Sequence, residues 1–371
     1  MHFTVHHDPH INARVERDLT LIREALLERF PNITALILVG GFGRGEGSVL
    51  VDGTGNITPI NDYDILVIHK GRIDRQALAQ QRQILARRVG IWLLDLLALE
   101  GSEIPRLPLT QLHYDSSAGG YLFHGHPQVM DRWPRWQASD IPWAEGKKML
   151  FNRFVSILEA YRNDFLHHPL QNEEVFKLAN QTSKAILACC DALLILAGRY
   201  EHLYQKRAQR FAEVYPQRKT EAALVQRACD FKLRPAPVPA FDALSYWQEG
   251  MDFYAETLQE FLPRFYRRGF DDWRAFSRFY ASPLSLQNWR GYARDLVRRL
   301  LGRFPTYGAI LHLELAALHL IQAKHDTAAE HQLVRSARQH LQHSGCTLPS
   351  PEASWEEIRR AVVEHWYIIK H

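Results

Sequence analysis

The sequence predicts an α+β chain, with a mixed β-sheet domain over residues 1–144 followed by an α-helical bundle domain over residues 145–371. Three observations carry this. In the first third, short apolar runs bounded by glycines alternate with segments of helical period. A stretch rich in proline and tryptophan, from Pro127 to Trp143, then interrupts the pattern. Beyond it, apolar residues recur almost throughout at helical spacing. Length agrees, since 371 residues exceed one small core and suit two domains.

Taken in order, Ile11, Val15, Leu19, Ile22, Leu26 and Leu27 predict a helix over 11–29. Ala35-Leu-Ile-Leu-Val-Gly40 reads as a short buried strand ending at glycines. A polar, glycine-rich connection follows to residue 60, and its Asp52-Gly53-Thr-Gly55-Asn56 suits a hairpin or surface loop. Tyr63-Asp-Ile-Leu-Val-Ile-His69 is a second buried strand, and residues 72–88 have helical spacing. The run from Gly90 to Leu99 is long enough for a helix, but Gly90 and Gly101 on either side favour a third strand. Shorter strands are expected near 109–114 and 120–124. Helices are expected at 145–166, 173–204, 218–232, 242–262, 286–302, 307–323, 326–343 and 354–369, with Pro235, Pro237 and Pro239 as breakers in the middle.

Hydrophobic and charged fractions of 46% and 23% are those of an ordinary soluble protein. No apolar run approaches the roughly 18 residues needed to cross a bilayer, and the first residues do not read as a secretory signal. Cys189, Cys190, Cys229 and Cys346 form no Cys-x-x-Cys pair, which argues against a zinc ribbon. They are expected to be reduced, which places the protein in the cytoplasm with no membrane partner. A net charge of +4 permits a phosphate-bearing ligand but is too mild to indicate nucleic acid.

The chemistry concentrates in Gly40-Gly-Phe-Gly-Arg-Gly-Glu-Gly-Ser48 and Asn61-Asp-Tyr-Asp64. Asp62 and Asp64 are two residues apart, so an extended backbone points both to one face. Like charges converging at the end of a buried strand repel unless a cation lies between them. Mg²⁺ (or Mn²⁺) suits oxygen ligands of this kind. Asp95, a lone carboxylate in the apolar run Trp92-Leu-Leu-Asp-Leu-Leu-Ala98, is the expected third acid. Three acids can hold two ions, one lowering the pKa of an attacking hydroxyl and one holding the triphosphate and leaving pyrophosphate. Asp62 and Asp64 are the expected ligands of both ions. Asp95 would bind the ion beside the acceptor, where it is also placed to receive the acceptor's proton. Gly40 and Gly41 allow backbone N–H groups close to phosphate oxygens, Arg44 supplies charge, and Ser48 a hydroxyl.

An apolar residue, Gly-Gly, a spacer and Asp-x-Asp entering a strand together resemble the DNA polymerase β-like nucleotidyltransferase superfamily. The loop from Gly40 to Glu46 is most similar to that of the protein uridylyltransferases. The spacer, Val49 to Ile60, is about a dozen residues longer than in those relatives. The resemblance spans roughly the first 125 residues and implies a nucleotidyltransferase-fold domain. On that footing the metal role falls to Asp62, Asp64 and Asp95, and the nucleotide role to Gly40, Gly41 and Arg44. It also implies that the helical half closes the nucleotide cleft, with Lys184 reaching phosphate and Tyr200 near the base.

The expected reaction is transfer of a nucleoside monophosphate from a nucleoside triphosphate to a hydroxyl acceptor, releasing pyrophosphate. A protein or a small molecule is the favoured acceptor, with nucleic acid behind both. A non-catalytic or antitoxin-like regulatory protein that keeps the fold is the alternative. Arg162-Asn-Asp-Phe-Leu-His167 also resembles the R-x4-H signature of HEPN-type ribonucleases, although Arg338 to His343 repeats that spacing. Among nineteen histidines, His312 and His319 share a helix face, yet no His-Glu-x-x-His motif or completing carboxylate marks a metal set, so they read as satisfied side chains.

Overall fold

A computed structural model describes residues 2–51, 53–60, 62–235, 242–283, 288–300, 306–348, 350 and 352–370. Pro237, Pro239, Asp52, Asn61 and both ends of the segment 286–302 lie outside the described residues. The chain forms two compact units, one comprising 1–145 and 194–236, the other 146–193 and 237–371.

The first unit is built on a four-stranded mixed sheet. Helix α1 (Pro9–Arg29) starts at Asp8, whose carboxylate accepts from the His10 N–H. Strand β1 (Ile33–Val39) runs into a single turn, α2 (Gly40–Gly43). The long spacer is a hairpin of β2 (Val49–Val51) and β3 (Ile57–Pro59), paired apart from the main sheet. Then follow β4 (Tyr63–His69), α3 (Arg75–Val89) and β5 (Leu94–Glu100). Gly90, at φ +77°, ends α3, so the third apolar run enters the sheet only at Leu94. The 109–114 region is a helix, α4 (Gln111–Gly119), and not the strand expected. Thr110 caps it by accepting from the His113 N–H, a local start signal stronger than the few apolar residues around it. Strand β6 (Tyr121–Gly125) is where the sequence placed it.

Strand order is β5-β4-β1-β6, with β1 antiparallel to β4 and β6, and β4 parallel to β5. Alternation along the strands fills two cores. Leu36, Leu38, Tyr63, Ile65 and Val67 pack toward α1 and α3 residues such as Val15, Ile22 and Leu85. Ala35, Ile37, Val39, Leu66 and Ile68 face Ile104 and Trp133. The short helix α5 (Gln128–Asp131) lies in this cover, so the proline-tryptophan stretch shields the second face of the sheet.

Helix α6 (Trp143–Ala160) leads into the second unit, followed by α7 (Asn172–Leu196). Gly198, at φ +66°, ends α7, with its N–H bonded to the Ile195 carbonyl and the Arg199 N–H to that of Leu194. The expected single helix to residue 204 therefore stops short. Helices α8 (Tyr204–Val214) and α9 (Lys219–Leu233) follow and belong to the first unit. The compact units thus part after Glu145, and residues 194–236 return to the first.

The second unit continues with α10 (Ala243–Tyr266), α11 (Trp273–Tyr280), α12 (Trp289–Leu300), α13 (Tyr307–His325), α14 (Glu330–His343) and α15 (Trp355–Lys370). Helix α13 is apolar nearly all round and buried through most of its length, the pattern of a central helix. It packs against α10, α14 and α15. Among the described residues, no helix is long and apolar enough to cross a membrane.

Candidate active site

Register brings the acids together. Asp64 is the partner of Val39 on β1 and of Asp95 on β5, so two carboxylates stand side by side on adjacent strands. Asp62 lies just before β4, two residues upstream. Gly40 continues directly from Val39 and takes φ +65°. A Cβ at residue 40 would collide with the Asp64 carboxylate. Glycine is therefore required twice over, by its dihedral and by the acid packed against it.

Electrostatics follow from this packing. Burial, then the neighbouring charges of Asp62 and Asp95, push the Asp64 carboxyl up to about 6, while Arg44 and Lys232 work in the opposite direction. A carboxylate partly desolvated and flanked by two more is in the setting a cation relieves. The donor set is all oxygen, as Mg²⁺ or Mn²⁺ requires. Asp95 is held by Arg82 at 3.1 Å, but both side chains are more than a third exposed, so the pair is weak.

The glycine-rich loop is fixed by its own backbone. The Glu46 N–H donates to the Gly41 carbonyl at 2.8 Å and the Gly47 N–H to that of Phe3 at 2.9 Å. Glu46 is buried, and its carboxylate accepts from the N–H groups of Tyr204 and Gln205, capping α8.

Several expected nucleotide contacts are engaged elsewhere. The Arg44 side chain is 6% exposed, and its guanidinium donates to Asp115 at 3.1 Å and lies over the Tyr204 ring. Ser48 is buried too, and its hydroxyl donates to the Lys232 carbonyl. Tyr200 is a core residue, its hydroxyl donating to Asp115 at 3.2 Å and accepting from Gln111 at 2.9 Å, so it does not stand open for a base. Lys184 lies on α7 in the second unit, whereas Asp62, Asp64 and Asp95 lie in the first. Arg162 and His167 flank a 3₁₀ turn beyond the end of α6, not the helix expected for them. Arg162 is paired with Asp164 at 3.1 Å and Glu174 at 2.9 Å.

Three residues, Asp115, Arg207 and Lys232, are not legible in the sequence as parts of this region. Asp115 is 2% exposed, and one of its oxygens receives Arg44, Gln111, Tyr200 and Arg207. Arg207, 1% exposed, lies over the rings of Tyr200 and Tyr204. Lys232, near the end of α9, supplies positive potential at Asp64 from a distant part of the sequence. The one hint was Asp115 itself, an acid in the middle of the weakly polar run from Leu112 to Gly120.

No known family pattern matches the chain, and no curated protein sequence does. Among solved structures, the chain is similar to a spectinomycin adenyltransferase from Enterococcus faecialis, determined with ATP and spectinomycin. The likeness has a TM-score of 0.35 and 11% identity, and covers 69% of this chain and 99% of the other.

Proposed function

We propose that the first unit is a metal-dependent nucleotidyltransferase that moves a nucleoside monophosphate from a nucleoside triphosphate to a hydroxyl acceptor. The observation that carries it is the register of Asp64 against Asp95, with Asp62 two residues away and Gly40 packed on the Asp64 carboxylate. Asp62, Asp64 and Asp95 would hold two Mg²⁺ or Mn²⁺ ions. Such ions supply charge neutralisation at the triphosphate and a lowered pKa for the attacking hydroxyl. Gly40 and Gly41 let the triphosphate approach the backbone, and Lys232 adds positive charge on the same side as Asp64. Arg44 acts through the loop it anchors and the field it contributes. Asp95 is placed to take the acceptor's proton once its weak pair with Arg82 opens.

The acceptor is a protein or a small molecule; the spectinomycin in the neighbouring structure is an example of the second kind. The Arg82–Asp95 pair is the observation that favours the alternative, a non-catalytic protein keeping the same fold, in which Asp95 is a structural ion-pair partner. Thermal-shift measurement with each nucleoside triphosphate, with and without Mg²⁺ or Mn²⁺, separates the two. A metal-dependent rise in Tm is expected with at least one triphosphate, and no rise with any of them would sink the catalytic proposal. Labelled triphosphate added to a cell lysate then reads the acceptor, as label on protein or on a small metabolite. The double variant Asp62→Ala, Asp64→Ala should fold normally and transfer nothing.

A further inference from the structure

The second unit holds a group of histidines that the proposed chemistry does not use. Helix α13 presents His312 and His319, and the facing helix α14 presents His340 and His343 in its last turn. The latter two are three residues apart and share a face. Nδ1 of His312 lies 3.0 Å from Nδ1 of His340, and the rings of His312 and His343 are 5.1 Å apart. One nitrogen from each of His312, His340 and His343 falls within 4.8 Å of the other two. Nitrogens bound at about 2.0 Å to a tetrahedral ion stand about 3.3 Å apart, so small side-chain rotations close the difference.

Three further observations point the same way. His319 is fully buried, and its Nε2 meets the Ser277 hydroxyl, which itself donates to the Trp273 carbonyl. The His319 proton therefore sits on Nε2, leaving Nδ1 as a buried lone pair without a hydrogen-bond partner. His319 lines the same cavity of about 580 Å³ as His312, His340 and His343. The site also lies at the C-terminal end of α14, where the helix carries partial negative charge favourable to a cation. Arg274, Arg278 and Arg335 line the cavity too, so an anion in the remaining coordination position would offset their charge.

We propose that His312, His340 and His343 form a binding site for a zinc-class divalent transition metal on the α13–α14 pair, with His319 at its inner wall. Imidazole nitrogens select Zn²⁺ and its neighbours over Mg²⁺, which prefers oxygen. The site is thus chemically distinct from the acid cluster.

The test titrates the full chain, stripped by chelator, with Zn²⁺ in excess Mg²⁺, following competition with a chromogenic chelator. Co²⁺ substitution reports the coordination geometry by its visible absorption. One Zn²⁺ per chain is expected, with tetrahedral Co²⁺ bands. His340→Ala and His343→Gln should each weaken binding by about a hundredfold or more. His343 is exposed, so its replacement leaves the core intact. The double variant Asp62→Ala, Asp64→Ala should bind Zn²⁺ as the native chain does, which keeps this result separate from the fate of the nucleotidyltransferase proposal. Absence of Zn²⁺ binding, or unchanged binding in His343→Gln, would overturn the site and leave His312 and His340 as a simple hydrogen-bonded pair.

Discussion

At the scale of the residue, Asp64 is the acid that the fold perturbs most within the cluster. Its carboxyl has an ordinary value of 3.8 and is held at about 6 in the fold, first by burial and then by Asp62 and Asp95. The native state therefore binds more protons than the unfolded chain between those values. Its contribution to stability is fully present below pH 4 and lost as pH rises through 6, on the order of 3 kcal/mol for a shift of about two units. The metal-free protein should accordingly lose stability across that window, and Asp64→Asn should flatten the profile. Chelator-treated samples melted between pH 4 and 7 check this, and an unchanged slope in Asp64→Asn would refute the assignment. On the proposed reading, divalent cations would displace the same proton below pH 6, so their affinity should rise with pH over the same range. Gly40 makes the companion case. A left-handed dihedral costs a non-glycine residue about 1–2 kcal/mol before the clash with Asp64 is counted. Gly40→Ala should therefore lower Tm and depress transfer more than Gly53→Ala, a change at a hairpin glycine with open space around it.

At the scale of the element, the glycine-rich loop is held from outside by α4, α8 and α9. Asp115 on α4 receives Arg44 from the loop and Arg207 from α8, and all three side chains are almost completely buried. Removing the carboxylate takes from two buried guanidiniums the anion they share, a loss of about 3–5 kcal/mol. Asp115→Ala should show it in denaturant unfolding. A change under 1 kcal/mol would mean that the arginines find other acceptors, the carbonyls of Glu201 and His202 being those already bonded to Arg207. The same elements explain where sequence reading stopped. Helical period and glycine punctuation sufficed for α1, β1, β4 and β6, whose apolar faces match one sheet. The region of α4 is not legible as a helix because its few apolar residues carry little period, and Thr110, not hydrophobicity, starts that helix.

At the scale of the molecule, the chain leaves the sheet after Glu145, builds α6 and most of α7 in the second unit, and returns at Leu194 to place α8 and α9 in the first. A fragment ending at residue 144 lacks Tyr200, Arg207 and Lys232. Its Asp115 would lose Tyr200 and Arg207, and its Glu46 the N–H groups of Tyr204 and Gln205. Such a fragment should fail to fold cooperatively, as read by the loss of a sigmoidal melt and by dye binding to exposed apolar surface. A sharp transition in that fragment would show that α8 and α9 are dispensable to the sheet.

The sequence by itself determined β1, β4, β5 and β6, most of the helices, the free cysteines and the placing of Asp62 and Asp64 two residues apart, because each rests on spacing within a few residues. It also nominated Asp95 through a lone charge in an apolar run. Only the tertiary structure decided that Asp95 stands beside Asp64, since strand register depends on how whole faces pack. The partners of Arg44, Ser48 and Tyr200 were decided there too, far along the chain: Asp115, the Lys232 carbonyl and Gln111. Local pattern cannot reveal such pairs, because a buried polar side chain is defined by what meets it and not by its neighbours in sequence. The histidines follow the same logic. The face shared by His312 and His319 was visible in one helix, but the nitrogens that complete the group come from another.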